Sequence, residues 1–248
     1  MKKIAIYGKG GIGKSTVVTN LSAALAESGH RVMQIGCDPK SDSTVGLTGG
    51  NQIPTVLQQI LEKRENTTLT DLVFPGDFGV ACVEAGGPKP GMGCAGRGII
   101  SAFEKLNELH ADEVYRPDVV LYDVLGDVVC GGFALPIRQG YAQWVCIVTS
   151  GEKMSLYAAG NILEAIRSFE SRGYAHAGGL IVNRKNTPNE EQIIADWAAA
   201  HSVPILGHIP RSSLVQQAEE QGSNVIRLFP DSPLAAGYRD LAERIMEL

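Results

Sequence analysis

The stretch Gly8-Lys9-Gly10-Gly11-Ile12-Gly13-Lys14-Ser15-Thr16 decides the fold of this chain. It matches the phosphate-binding pattern G-x-x-x-x-G-K-[ST]. The apolar segment 3–7 before it is typical of a short buried strand. The segment 15–27 after it has apolar residues at helical spacing. This context favours a phosphate-binding loop over a glycine-rich turn that happens to precede a helix.

The loop predicts specific contacts with a bound nucleotide. Its glycines let backbone N–H groups turn toward phosphate oxygens, and the start of the helix adds a favourable dipole. We expect Lys14 to reach the β- and γ-phosphates and the Ser15 hydroxyl to hold Mg²⁺. The predicted nucleotide-binding residues of the loop are Gly8, Lys9, Gly10, Gly11, Ile12, Gly13, Lys14, Ser15 and Thr16.

Lys9 is an additional lysine one position into the loop. In the variant pattern G-K-G-G-x-G-K-[ST], a lysine at this position reaches across a dimer interface to the partner's nucleotide. Lys9 therefore indicates a dimeric ATPase and is a candidate catalytic residue together with Lys14. The alternative is a solvated surface lysine.

Composition places limits on the class of protein. The chain has 248 residues, of which 44% are hydrophobic and 20% are charged, as in ordinary globular domains. The net charge of -5 argues against nucleic-acid binding through a basic face. No apolar run approaches the roughly 20 residues needed to cross a bilayer, and no secretory signal is evident. We expect a cytoplasmic protein without structural disulfides.

Apolar runs alternate with helical patterns along the whole chain. This alternation predicts one α/β domain over residues 1–248, a P-loop NTPase domain with a mostly parallel sheet and helices on both faces. The predicted strands are 3–7, 31–36, 79–83, 119–122, 144–149, 179–182 and 205–208. The predicted helices are 15–27, 55–63, 99–108, 154–171, 190–200, 214–220 and 234–246.

Two acidic segments follow predicted strands, where parallel sheets bind ligands. The segment 36–44 contains Asp38, Lys40 and Asp42, and its carboxylates are candidates to orient water and to sense Mg²⁺. The segment 118–127 is an apolar strand that ends at Asp123, which is placed to bind the Mg²⁺ shell through water. Polar turns with capping aspartates are the alternative for both.

The five cysteines fall into two groups. Cys37, Cys82 and Cys146 lie in or at the ends of apolar strands, which favours buried structural thiols. Cys94 and Cys130 are flanked by glycines and precede helical segments, which favours ligation of a bulky group. Two cysteines are too few for a [4Fe–4S] cluster, but a twofold dimer supplies four. Zinc on the same thiolates, or no metal, remains open at this point.

Taken together, these stretches resemble the nitrogenase iron protein family, which comprises the dinitrogenase reductases and their nitrogenase-like relatives. The resemblance covers nearly the whole chain, and its most specific run is Tyr122-Asp-Val-Leu-Gly-Asp-Val-Val-Cys-Gly-Gly-Phe133. The other stretches are 8–16, 36–44, Cys82-Val83-Glu84-Ala85-Gly86-Gly87-Pro88 and 91–98.

The resemblance implies a homodimer with MgATP in each subunit and one [4Fe–4S] cluster per dimer on Cys94 and Cys130. It implies ATP-coupled transfer of single low-potential electrons from ferredoxin or flavodoxin to a nitrogenase-like catalytic component. Asp123–Cys130 corresponds to a switch that joins the nucleotide to a cluster ligand. Arg97 corresponds to an arginine that docks the partner. Further nucleotide contacts are implied at Lys40, Asp42, Asn183, Pro210, Arg211 and Gln216, with Asp38 in the catalytic set.

Some positions depart from the family pattern. Ser212 stands where an aspartate is usual, and the sequence stops at Leu248 without the usual C-terminal extension. The stretch Ile53-Pro54-Thr55-Val56-Leu57 is more similar to reductases of protochlorophyllide reduction or of coenzyme F430 biosynthesis, whereas 93–98 is closer to the nitrogenase type. This mixture suggests a nitrogenase-like branch, such as the reductases of coenzyme F430 biosynthesis or of methylthio-alkane reduction. The rival functions are a positioning or partitioning ATPase and an iron–sulfur scaffold ATPase. The glycine-flanked cysteines and acidic charge argue against the first. The missing Cys-x-x-Cys argues against the second.

Overall fold

The computed structural model describes residues 1–87, 95–126, 136, 141–170 and 173–248. Its strands form one sheet in the order β3-β4-β2-β5-β1-β6-β7-β8. All neighbouring pairs are parallel except β3 with β4. The strands are β1 (Lys2–Gly8), β2 (Val32–Cys37), β3 (Phe74–Pro75), β4 (Ala81–Glu84), β5 (Val119–Val124), β6 (Trp144–Thr149), β7 (His176–Asn183) and β8 (Ile205–Ile209).

The helices alternate with the strands as the sequence pattern predicts. Within the described ranges none is both long and apolar enough to cross a membrane. The helices are α1 (Lys14–Glu27), α2 (Val56–Lys63), α3 (Ala95–Glu108), α4 (Ala111–Tyr115), α5 (Lys153–Glu170), α6 (Glu190–Ala200), α7 (Ser213–Glu220), α8 (Val225–Leu228) and α9 (Pro233–Glu247). Short 3-10 turns occupy Val45–Leu47, Arg64–Asn66, Leu69–Asp71 and Asp77–Gly79.

Both faces of the sheet are buried, which explains the near-continuous apolar strands. Along β1, Ile4 and Ile6 belong to the core under α1 and α9, whereas Ala5 and Tyr7 belong to the core under α3 and α5. All four side chains are fully buried. The predicted α/β fold, a mostly parallel sheet with helices on both faces, is confirmed.

The register of the sheet places several polar residues in one row. Asp123 on β5 pairs with Gly36 on β2, and Gly36 pairs with Glu84 on β4. Ile6 on β1 continues the row on the other side of Asp123. Side chains in one row of a parallel sheet point to the same face. The two carboxylates therefore share the face that α1 covers, separated by a glycine.

Candidate nucleotide-binding site and its link to the cysteines

The phosphate-binding loop connects β1 to α1 as predicted. The backbone turns tightly here: Ile12 N donates to Lys9 O at 3.1 Å, and Gly13 has a φ of 93°, in the left-handed region. A Cβ atom on Gly13 would lie 2.4 Å from Asn183 Nδ2, so only glycine fits. Lys9 is half-buried beside exposed Gly10.

Lys14 and Asp123 form an ion pair through Nζ and Oδ1, and both residues are buried. Asp123 Oδ2 has no hydrogen-bond partner among the described residues. The two residues predicted to meet the phosphates and the Mg²⁺ shell are thus in contact with each other. A buried carboxylate needs a compensating charge, and Lys14 supplies it.

The first acidic segment lies along the same edge of the sheet. Asp38 Oδ1 accepts a hydrogen bond from Lys40 N at 2.9 Å, which stabilises the turn after β2. Lys40 and Asp42 are exposed, and Asp38 is half-buried. The segment is therefore accessible next to the phosphate-binding loop.

A cavity of about 540 Å³ opens beside this loop. Ser15 and Thr16 of α1, Asp42 and Glu219 of α7 are among the residues that line it. Thr16 Oγ1 donates to Glu219 Oε1 at 2.9 Å. Glu219 was not predicted from the sequence, because it is one of two consecutive glutamates on an exposed helix and no local pattern distinguishes it.

The residues expected to lie beside the base and ribose are at the ends of β7 and β8 and on α7. Asn183 Nδ2 donates to Ile12 O at 2.7 Å, which ties β7 to the phosphate-binding loop. Pro210 and Arg211 follow β8 and are exposed, as is Gln216 on α7. Their contacts with a nucleotide stay predictions.

Ser212 has a structural role in this chain. Its Oγ accepts a hydrogen bond from Leu214 N at 3.2 Å and caps α7. Serine is a good N-cap residue, so Ser212 stabilises the start of this helix.

Glu84 is a polar residue of the site that the sequence did not single out. Its side chain is fully buried, and its Oε1 accepts hydrogen bonds from both Thr44 N and Thr44 Oγ1 at 2.8 Å. Burial raises the pKa of Glu84 to about 7. The two Thr44 hydrogen bonds oppose this shift, and the charges of Asp123 and Asp42 reinforce it. The available signal was an acidic residue ending an apolar strand, as at Asp123.

Three cysteines are structural, as predicted. Cys37, Cys82 and Cys146 are fully buried and free. Burial raises the pKa of Cys82 and of Cys146 to about 12 and that of Cys37 well above its usual value. Their thiols therefore stay protonated and unavailable to a metal at neutral pH.

Cys94 and Cys130, the two predicted cluster ligands, lie outside the described residues, as does Asp127. Helix α3 begins at Ala95, the residue after Cys94, and Arg97 in its first turn is exposed. Elsewhere, in the part of the chain that the structure describes, no group of three His, Cys, Asp or Glu side chains is arranged to hold a metal ion.

The chain leading from Asp123 toward Cys130 packs against the phosphate-binding loop. Gly126 is buried, and a Cβ atom there would lie 2.4 Å from Gly8 O and 2.7 Å from Gly10 N. The backbone of Gly126 and that of the phosphate-binding loop are therefore in direct contact.

Solved structures with similar folds include two proteins that are named as ATPases. The cell division ATPase MinD of Pyrococcus furiosus superposes with a TM-score of 0.76 at 21% identity, covering 100% of this chain and 99% of that one. A ParA family ATPase from Chlorobium tepidum gives a TM-score of 0.75 at 20% identity and covers 98% of each chain. At these identities the likeness shows the fold alone.

Sequence comparisons identify the family. The nitrogenase iron protein of Methanospirillum hungatei JF-1 is 57% identical over 249 residues, which cover 99% of this chain and 88% of that protein. Nitrogenase iron protein 2 of Methanothermobacter thermautotrophicus is 51% identical over 247 residues, covering 99% and 89%. Such proteins are ATP-hydrolysing iron–sulfur reductase components. Since the family profile matches residues 2–248, the chain belongs to the NifH/frxC family of 4Fe-4S iron sulfur cluster binding proteins.

Proposed function

We propose that residues 1–248 act as the cytoplasmic, ATP-dependent reductase component of a nitrogenase or nitrogenase-like system. The component is a homodimer that binds MgATP in each subunit and one [4Fe–4S] cluster between subunits. It receives electrons from ferredoxin or flavodoxin and passes them singly to a catalytic partner. Neither nucleic acid nor a membrane takes part.

The observation that carries this proposal is the Lys14–Asp123 ion pair at the start of the segment that leads to Cys130. A nucleotide phosphate competes with Asp123 for Lys14, because both are anionic. Withdrawal of Lys14 leaves Asp123 free to hold the hydrated Mg²⁺. A change at Asp123 then passes along the chain to Cys130, seven residues later. Nucleotide state and the cluster site are thereby coupled through one short stretch of backbone.

Chemistry of the donor set supports the cluster. With three thiols sealed in the core, Cys94 and Cys130 are the remaining cysteines of the sequence. A dimer presents four such thiolates, the number that a [4Fe–4S] cluster takes. The cluster, when bound, supplies a one-electron couple of low potential. Arg97, exposed three residues after Cys94, would give the docking face a positive charge.

The remaining residues have defined tasks in hydrolysis. Lys14 and, from the partner subunit, a second copy of Lys9 neutralise charge that develops on the transferred phosphoryl group. Ser15 holds Mg²⁺, and Asp38 orients the attacking water. Asn183, Pro210, Arg211 and Gln216 surround the base and ribose, while Lys40 and Asp42 respond to the γ-phosphate.

Anaerobic purification tests the proposal directly. The wild-type dimer should be brown and contain about four iron atoms, with an EPR signal on reduction. Cys94→Ala and Cys130→Ala should each remove the iron while the fold is retained. Cys146→Ala, a matched change at a core thiol, should retain it. A colourless dimer that hydrolyses ATP would instead favour a positioning ATPase of the MinD or ParA kind.

A further inference from the structure

Glu84 fixes the first acidic loop to the sheet. The backbone N–H and the hydroxyl of Thr44 both donate to Glu84 Oε1, and Thr44 lies two residues after the exposed Asp42. Space for the carboxylate comes from Gly36, where a Cβ atom would lie 2.0 Å from Glu84 Oε2. Glu84 Oε2 has no hydrogen-bond partner among the described residues. Burying a carboxylate with only one of its oxygens hydrogen-bonded costs free energy of folding, which indicates a role for Glu84 beyond packing.

The residues after Glu84 continue this contact toward α2. We call residues 84–87 the β4 exit. Ala85 N donates to Gly36 O at 2.8 Å, and Leu57 N donates to Ala85 O at 3.2 Å. Gly86 has a φ of 78°, and a Cβ atom there would lie 2.5 Å from Thr55 Oγ1. The backbone of the β4 exit is thus held from both sides.

The β4 exit also touches the first acidic loop and the start of α3. A Cβ atom on Gly87 would lie 2.7 Å from Pro39 Cβ. A Cβ atom on Gly98 would lie 3.2 Å from Gly86 O and 3.3 Å from Gly87 Cα. Gly98 follows the exposed Arg97 in the first turn of α3. Gly98 thus meets the backbone of the β4 exit directly, and Gly87 meets the rigid ring of Pro39. Because these contacts are close, a displacement of one segment has to be taken up by its neighbours.

We propose that Glu84 is a positioning residue that transmits the state of the first acidic loop, through the β4 exit, to the first turn of α3. This inference rests on the proposed function, because Cys94 immediately precedes α3 and Arg97 lies on it. It adds a second connection, separate from the one through Asp123 and Gly126. Each of the two cluster cysteines would then have its own link to the nucleotide.

The connection consists of direct contacts that run from the first acidic loop to the first turn of α3. At one end, Asp38–Asp42 responds to the γ-phosphate. At the other, Gly98 rests on the β4 exit. Glu84 determines whether a shift of Ser43 and Thr44 pulls on β4 or is absorbed locally. Without its carboxylate, Thr44 can move while the β4 exit stays in place.

Hydrogen exchange in the full-length dimer, with and without a non-hydrolysable MgATP analogue, tests this inference. In the wild type, the analogue should slow exchange in a peptide covering residues 95–108. In Glu84→Ala at saturating analogue, that added protection should fall about tenfold, a coupling of ordinary size between two sites. Glu84→Gln should retain it, because its amide oxygen can still accept from Thr44.

Glu190→Ala is the matched control. Glu190 is also a buried glutamate that accepts backbone N–H groups, from Gly151, Lys185 and Asn186, but it lies after β7, five strands away from β4. Its loss should leave the α3 response unchanged. If Glu84→Ala does not fold, Gly87→Ala, which displaces Pro39, should change the same peptide response.

A chelator that removes iron gives an independent reading of the cluster site. MgATP should accelerate iron loss less in Glu84→Ala than in the wild type and in Glu84→Gln. A wild-type response in Glu84→Ala, or an equal loss in Glu190→Ala, would overturn the inference. A wild-type dimer that binds the nucleotide but holds no iron would overturn the proposed function, while the exchange result on α3 would still decide the link itself.

Discussion

Asp123 and Glu84 occupy the same row of the sheet, yet their surroundings differ. Asp123 is paired with the cation of Lys14, whereas the donors that Glu84 meets among the described residues are the uncharged N–H and O–H of Thr44. A charge is compensated in the first region and left uncompensated in the second. The first region is suited to exchange partners with an anionic ligand. The second region is suited to hold a loop. Because no cation compensates its buried carboxylate, the pKa of Glu84 is raised.

The largest effect should come from removing the cation that pairs with Asp123. Lys14→Gln keeps a donor for Asp123 but removes the cation that neutralises the phosphoryl group. ATP hydrolysis should fall about 10²–10³-fold, as for the loss of other transition-state donors. Phosphate release under saturating MgATP measures it. Lys63→Gln, which removes a surface lysine paired with Asp71, is the control and should hydrolyse ATP normally.

The next largest effect concerns how Glu84 makes stability depend on pH. The pKa of Glu84 is about 7 in the folded chain against 4.5 for a free glutamate, so the folded state retains a proton between these values. Its contribution to stability is therefore present below pH 4.5 and is lost as the pH rises through 7. As the pH rises from 4.5 to 7, Glu84→Gln should therefore gain about 3 kcal/mol in free energy of unfolding relative to the wild type. Urea unfolding without nucleotide, repeated across this pH range, measures the gain.

Glu190→Gln provides the contrast for that experiment. Burial raises the pKa of Glu190, but hydrogen bonds from backbone N–H groups outweigh burial and lower it. Its contribution should be present at neutral pH and lost as the pH falls through the folded pKa. If the Glu84 and Glu190 variants show the same pH dependence, the assignment of an uncompensated charge to Glu84 is wrong.

A smaller effect is expected at the glycine between the two carboxylates. Gly36→Ala places a methyl group 2.0 Å from Glu84 Oε2 and 2.8 Å from Ser43 Cβ. Overpacking of this kind should lower the free energy of unfolding by about 2 kcal/mol. Gly237→Ala in α9 has open space around the new methyl group and should instead stabilise by about 0.5–1 kcal/mol. Equal unfolding midpoints for the two variants would contradict this geometry.

The smallest effect concerns one hydrogen bond of the Glu84 region. Thr44→Val removes the Oγ1 donor while its backbone N–H remains, so the free energy of unfolding should fall by about 1 kcal/mol. Thr67→Val, at another buried threonine whose hydroxyl donates to Arg64 O, should cost a similar amount. Only Thr44→Val should also weaken the binding of a MgATP analogue, measured by calorimetry. If Thr44→Val and Thr67→Val bind the analogue with equal affinity, Thr44 does not contribute to nucleotide binding.

The sequence predicted most of the fold because the strands are apolar on both faces. The strand 144–149 and the helix 190–200 were placed without error. Helix α3 starts at Ala95, four residues before its predicted start. The prediction began too late because Gly96 and Gly98 interrupt the helical pattern of the sequence. Gly98 lets the β4 exit approach closely, a tertiary contact that no single-sequence pattern reveals.

Within the site, contiguous motifs were predictable and distant partners were not. The loop 8–16 carries its own signature, whereas Glu84 meets Thr44 from 40 residues away and Glu219 meets Thr16 from 203 residues away. The predicted strand 79–83 is displaced to Ala81–Glu84, because Asp77–Gly79 forms a 3-10 turn with Phe78 at a φ of 55°. That displacement moves Glu84 from a following loop into the sheet.

The two outer strands have a consequence for how copies of the chain can associate. β3 is two residues long and ends in Pro75, which has no N–H to offer a neighbouring strand. β8, at the opposite edge, is bracketed by Pro204 and Pro210. Both edges are therefore poor templates for a strand from another molecule. The prolines at β3 and β8 disfavour aggregation through the sheet edges. For the same reason, we expect subunits to pair through surfaces other than these edges.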